Sequence, residues 1–164
     1  MKKKIIAAAA VLGVAVMAGG CVSGGTGISS EIADADIWQE VGSLEEAEEA
    51  MGFELTLPDM SDYGEASAYN VCVALTEIEV QYGSLDSRGA YIRKAEDDGD
   101  ISGDYEEYAY EEEVAVGENT VTFKGASEDE INLAVWNAGD YAYCIKVTDG
   151  VSSDVMNELA AGVE

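Results

Sequence analysis

The 164-residue chain has no histidine, one proline, two phenylalanines and three cysteines, and only eight residues are Lys or Arg against 34 Asp or Glu. Without histidine there is no imidazole general base, no Ser-His or Cys-His nucleophile pair and no histidine metal ligand. The shortage of cations gives a formal net charge of −26, which repels phosphate backbones and lacks the basic stripe that nucleic-acid binding needs, so no nucleic-acid partner is expected. G-x-S-x-G, P-loop, G-x-G-x-x-G and C-x-x-C motifs are also missing, which empties the usual motif routes to an enzyme. Length and a 48% hydrophobic composition fit one ordinary globular domain.

Three of the eight cations, Lys2, Lys3 and Lys4, open the chain, followed by the apolar run Ile5 to Ala18 and by Gly19-Gly20-Cys21. A fourteen-residue helix reaches about 21 Å, short of the bilayer core of about 30 Å, so the run reads as a signal and not a span. The pattern resembles a bacterial lipoprotein signal, in which cleavage before a cysteine leaves that residue, here Cys21, carrying a diacylglyceryl group. Ala18 stands where leucine is usual. Residues 21–164 then carry five cations against 34 acids, a net charge of −29, and acyl CH₂ groups contributing about 0.8 kcal/mol each hold such a protein at an anionic membrane. Self-repulsion of that size predicts stabilisation by moderate salt.

Residues 21–36 are rich in Gly, Ser and Thr and read as a flexible tether between the signal, 1–20, and one domain, 37–164. Ser43-Leu44-Glu45-Glu46 has capping-box spacing and Gly52 closes the short helix that follows. Phe53 to Leu57 alternates and reads as a strand stopped by Pro58. Tyr69, Val71, Val73 and Leu75 alternate, as do Ile78, Val80 and Tyr82, and Ala90 to Ala95 continues the pattern. Hairpins are expected around Gly117-Glu118-Asn119 and around residues 137–140. Ser152 caps a last helix with Val155, Met156 and Leu159 on one face. Alternation of this kind predicts an α+β fold, an antiparallel β-sheet meander with one wet face and an N-terminal and a C-terminal helix packed on it.

Trp38 with Ser43-Leu44-Glu45-Glu46-Ala47, Gly52-Phe53, Leu57-Pro58, Tyr91-Ile92-Arg93-Lys94-Ala95, Asp100-Ile101-Ser102-Gly103-Asp104-Tyr105, and Trp136 with Tyr141-Ala142-Tyr143 resemble, in that order, an extracytoplasmic lipoprotein domain family of clostridia and related Gram-positive bacteria. A similar module ends some anti-sigma factors. The resemblance spans about residues 37–162 and implies location and fold type, with no catalytic residues to carry over. The spanning helix that precedes the module in anti-sigma factors has no counterpart ahead of residue 37, where only the signal and tether are read.

Four candidate sites follow from the residues. Asp98, Asp100, Ser102, Gly103 and Asp104 match positions 1, 3, 5, 6 and 7 of a calcium loop, but Ala109 stands at position 12 where a bidentate Glu belongs. A looser calcium site on Asp98, Asp100, Ser102 and Asp104 therefore stands beside a plain solvated acidic turn. Arg88, Arg93 and Lys94 suggest an anion-binding spot, and cross-strand pairing with Glu77 or Glu79 explains them as well. Tyr105, Tyr108 and Tyr110 offer flat faces for stacking, or a core role. Cys72 and Cys144 lie on the small-residue sides of their strands, where a disulfide would contribute about 2–4 kcal/mol if their Cα atoms stand within about 7 Å, and buried free thiols are the alternative. Carboxylate pairs fit for a hydrolase arise by chance among 34 acids. The expected function is a lipid-anchored, monomeric, non-catalytic envelope protein that meets a protein or cell-wall ligand; a carboxylate-based envelope hydrolase and a sensor module related to the anti-sigma factor domains are the alternatives.

Overall fold

A computed structural model of the chain describes residues 38–85 and 88–164, so Cys21 and the segments expected to be a signal and a tether lie outside the described residues. Eight strands form one antiparallel sheet: β1 (Gln39–Val41), β2 (Ala66–Cys72), β3 (Glu77–Gly83), β4 (Gly89–Ala95), β5 (Tyr110–Val116), β6 (Asn119–Ser127), β7 (Glu130–Ala138) and β8 (Tyr141–Val151). Their spatial order is β1-β2-β3-β4-β8-β7-β6-β5, two four-stranded meanders joined where β4 pairs with β8. The expected single meander is thereby corrected. After β4 the chain leaves the middle of the sheet, crosses it, and re-enters at the far edge as β5.

Two helices cover one face of the sheet. In α1 (Leu44–Met51) the Ser43 Oγ accepts from the Glu46 N–H, Glu46 Oε2 accepts from the Gly42 N–H at 2.8 Å, and Gly52 ends the helix at φ 84°. This helix packs on β1 to β3. The second, α2 (Ser153–Ala161), is capped by Ser152 and packs on β5 to β8, burying Met156 and Leu159 while Val155 stays exposed. Beneath them lie Ile78 and Val80 of β3, Ile92 of β4, Ile145 and Val147 of β8, and Val121 and Phe123 of β6, all buried in one apolar cluster. Trp136 and Tyr143 stack across β7 and β8 with ring centroids 5.2 Å apart.

Alternation holds through β3, β4 and β8, but a bulge between Lys124 and Gly125 turns Ile131 back into the core. Glycine is required at 125 because a Cβ there would meet the Glu130 carbonyl and stand 2.7 Å from the Ile131 Cα.

Two strand expectations fail locally. Residues 53–57 keep their alternation, with Phe53 and Leu55 buried, but join no sheet; Thr56 pairs only with Glu164, through hydrogen bonds of 2.9 and 3.4 Å. Val73 to Leu75 turn into a single 3₁₀ turn that leaves Val73 63% and Leu75 49% exposed, and Thr76 takes φ 48° as the chain reverses into β3.

Candidate functional site

The second face of the sheet is not wet at its centre. Leu133, Ala95, Ala142, Cys72 and Cys144 are buried there, although by register they face away from the helices. The segment after β4, residues 96–109, lies across this face as a strap, and polar side chains rising from the strands hold it. Tyr91 Oη donates to the Ser102 carbonyl at 2.9 Å, Arg93 Nη1 donates to the Ile101 and Ser102 carbonyls at 3.0 Å, and Asn137 Nδ2 donates to the Asp98 carbonyl at 3.0 Å. Lys124 stands 3.6 Å from Asp100, and Lys146 pairs closely with Asp104 and donates to Tyr108 Oη at 2.7 Å. Burial opposes ionisation of Asp104, yet hydrogen bonds from Lys146 and Tyr108 outweigh it and hold the carboxyl below its ordinary range.

Strand period places Glu77, Glu79 and Arg93 on this face, with Glu79 directly opposite Arg93. Arg93 Nε and Nη2 both lie 2.7 Å from Glu79 Oε2, and the Trp38 and Tyr91 rings cover the guanidinium at 5.2 and 4.5 Å. Asn70 and Gln81 donate to the other Glu79 oxygen. Glu77 fares differently. It is 3% exposed, its Oε1 has no hydrogen-bond donor, and Arg93 Nε comes no nearer than 3.6 Å. Burial pushes its carboxyl up to about 7; Arg93 opposes the shift, and Glu79 and Asp97 add to it.

Glu77 lines a cleft of about 260 Å³ at the end of the strap. Trp38 and Leu75 form apolar walls, Arg93 and Ala95 part of the lining, and Asp97 and Asp100 acidic neighbours. A wider groove of about 740 Å³ runs past Pro58, Met60, Ala66, Tyr69 and Tyr82, but no buried side-chain polar atom without a partner belongs to it.

The structure disperses the sites expected from sequence. Asp98, Asp100 and Asp104 do not converge as calcium ligands: no group of three metal-ligating side chains occurs among the described residues, because Asp104 faces Lys146, Asp100 faces Lys124 and accepts from the Ser102 N–H, and Ser102 Oγ accepts from the Asp104 N–H. Arg88, Arg93 and Lys94 form no common anion site either. Arg88 pairs at the surface with Asp149, Arg93 belongs to the strap face, and Lys94, its chain neighbour, points to the opposite face. There Lys94 is buried, donates to the Glu54 carbonyl at 2.7 Å and faces the rings of Tyr141, Tyr143 and Phe53. Burial lowers its ammonium pKa against the pull of Glu164, Glu48 and Glu54. Cys72 and Cys144 are free and unbridged, since two strands lie between theirs, a separation of about 14 Å at the usual strand spacing. Tyr105 is 96% exposed, Tyr108 joins the strap network, and Tyr110 packs against the core.

The residues that sequence reasoning missed are Trp38 and Leu75 as cleft walls and Glu77 as its buried acid. The signal for Glu77 lay in Glu77-x-Glu79 facing a single arginine, one carboxylate more than Arg93 satisfies. No helix among the described residues is long and apolar enough to cross a membrane. Comparison of the chain with protein-family models, with curated proteins and with solved structures finds no match.

Proposed function

We propose that this is a lipid-anchored extracytoplasmic binding protein of a bacterial envelope, held at the membrane through Cys21, that carries out no chemistry of its own. The tripartite segment Lys2 to Cys21 and the resemblance to envelope lipoprotein domains support the location. One observation carries the binding role: the three cations of the strap face, Arg93, Lys124 and Lys146, each have an acidic partner within the chain, so that face is organised to hold its own shape around the Trp38–Leu75 cleft. Catalysis needs groups free to meet a substrate. Glu77, pushed up to about 7, has the acidity of a general acid and favours the rival reading of a carboxylate hydrolase, but the carboxylate beside it on the same strand face, Glu79, is committed to Arg93.

Mass spectrometry of membrane-extracted protein is expected to find a diacylated Cys21, and Cys21→Ala to lose the membrane fraction. A photo-crosslinking residue at position 75 is expected to capture an envelope component from intact cells. Unmodified Cys21 on membrane-free protein would overturn the anchoring, and hydrolysis of envelope polymers abolished by Glu77→Gln would overturn the non-catalytic role.

A further inference from the structure

We infer that the cleft between Trp38 and Leu75 receives a primary ammonium group carried on an alkyl stem, as on a lysine-type side chain or a polyamine, with Glu77 as its acceptor. The inference rests on the binding role proposed above and names the chemistry of the ligand. Its starting point is a deficit of donors. Arg93 directs Nε and Nη2 to Glu79 and Nη1 to the Ile101 and Ser102 carbonyls, so the one cation lining the cleft stands 3.6 Å from Glu77 Oε1 without giving it a hydrogen bond. Glu77 Oε1 is left buried without a hydrogen bond, a condition that costs about 1–3 kcal/mol and more for a charged group.

The surroundings select what can relieve it. Glu77, Asp97 and Asp100 outnumber Arg93 in the cleft, so the missing donor is favoured when cationic. Trp38 and the half-exposed Leu75 offer apolar surface to a methylene stem, and an indole face attracts an ammonium. No three ligating side chains gather among the described residues, which sets the site apart from a divalent-metal site. A volume of about 260 Å³ suits a side-chain-sized group and not a folded partner. The elevated pKa of Glu77 is consistent with this, since an entering ammonium would favour the ionised carboxylate that burial penalises.

The test uses the full chain in non-ionic detergent, with the two tryptophan indole N–H signals followed by NMR. Trp38 lines the cleft, and Trp136, buried on the helix face, serves as the internal reference. Titration with 1,5-diaminopentane and with Nα-acetyl-lysine methylamide is expected to move the Trp38 signal saturably and leave Trp136 in place, while 1,5-pentanediol and matched sodium chloride do not. The tighter of the two amines identifies a free polyamine or a peptide side chain as the source. Glu77→Gln, whose folding is checked by its melting curve, is expected to weaken amine binding at least tenfold, and Trp38→Phe to retain most of it. The proposal falls if matched salt reproduces the shift, if the diol binds as well as the diamine, or if Glu77→Gln binds amines like the parent. Such a failure leaves Cys21 acylation and capture at position 75 untouched, so it is distinct from failure of the binding role itself.

Discussion

The two faces of the sheet are covered by different physics. Under the helices the cover is apolar: Phe123, Ile78, Ile92, Ile145 and Met156 are fully buried against one another, and burial of each such side chain contributes about 1.5–3 kcal/mol without any directional requirement. Under the strap the cover is polar and directional, a set of hydrogen bonds and ion pairs from Tyr91, Arg93, Asn137, Lys124 and Lys146 laid over a small patch of buried Ala, Cys and Leu. Of the five cations at positions 38–164, three, Arg93, Lys124 and Lys146, lie on the strap face. Apolar burial builds the fold, and the scarce positive charge shapes the surface on which the cleft sits.

The largest effect expected from breaking this comparison is on the helix side. Phe123→Ala should lower unfolding free energy by about 4 kcal/mol, the range for deleting a buried aromatic ring, with little dependence on salt in urea titrations. Next comes the strap: Lys146→Ala leaves Asp104, whose side chain is 6% exposed, without its cation and should cost about 3 kcal/mol. That loss should appear first as faster hydrogen exchange and proteolysis within residues 97–108, ahead of global unfolding; simultaneous loss across the whole sheet would mean that strap and sheet are one cooperative unit.

Glu77→Gln acts in the opposite direction. A carboxyl whose folded pKa is raised to about 7 penalises the fold as pH climbs from about 4.5 to 7, because the unfolded chain ionises first, and the penalty is complete above 7. The substitution should therefore stabilise by about 2–3 kcal/mol at pH 8 and by almost nothing at pH 4, read from chemical denaturation at the two pH values. The smallest effects concern calcium and reductant. Calcium should raise the melting temperature no more than sodium chloride of equal ionic strength, since Asp100 and Asp104 spend their carboxylates on Lys124, Lys146 and the loop's own backbone. A reductant should leave the melting temperature unchanged, because Cys72 and Cys144 are already free.

Much of the helix side was legible in the sequence, and little of the strap side. The Ser43 and Ser152 caps, the alternation of Ile78 to Tyr82 and the turn glycines 117 and 139 are local signals, and each sits where its local chemistry requires. Alternation reports which side chains share a face but not which strand lies alongside, so nothing local announced that β4 meets β8. The same silence left the distance between Cys72 and Cys144 unread, whereas the opposite faces of Arg93 and Lys94 follow from the two-residue strand period itself. Val73 and Leu75 alternate as well as any core pair, yet the chain reverses at Thr76 before they can join the sheet. The strap is polar in sequence and reads as loop; its order comes from side chains donated by strands up to 42 positions away.

Among the described residues, β1 and β5 are the edge strands of the sheet, and they bear on how this protein behaves when crowded. One edge, β1, is three residues long, and the other, β5, runs Tyr110-Glu111-Glu112-Glu113 with its glutamates exposed. An unpaired strand is a template on which a second chain can add, and a row of carboxylates there meets the identical row of any approaching copy with like charge. Under the membrane anchoring proposed above, the protein would meet its own copies constantly. Replacing Glu111 and Glu113 with threonine would keep the strand and remove the repulsion, turning a guarded border into an aggregation seed while the core beneath stayed intact.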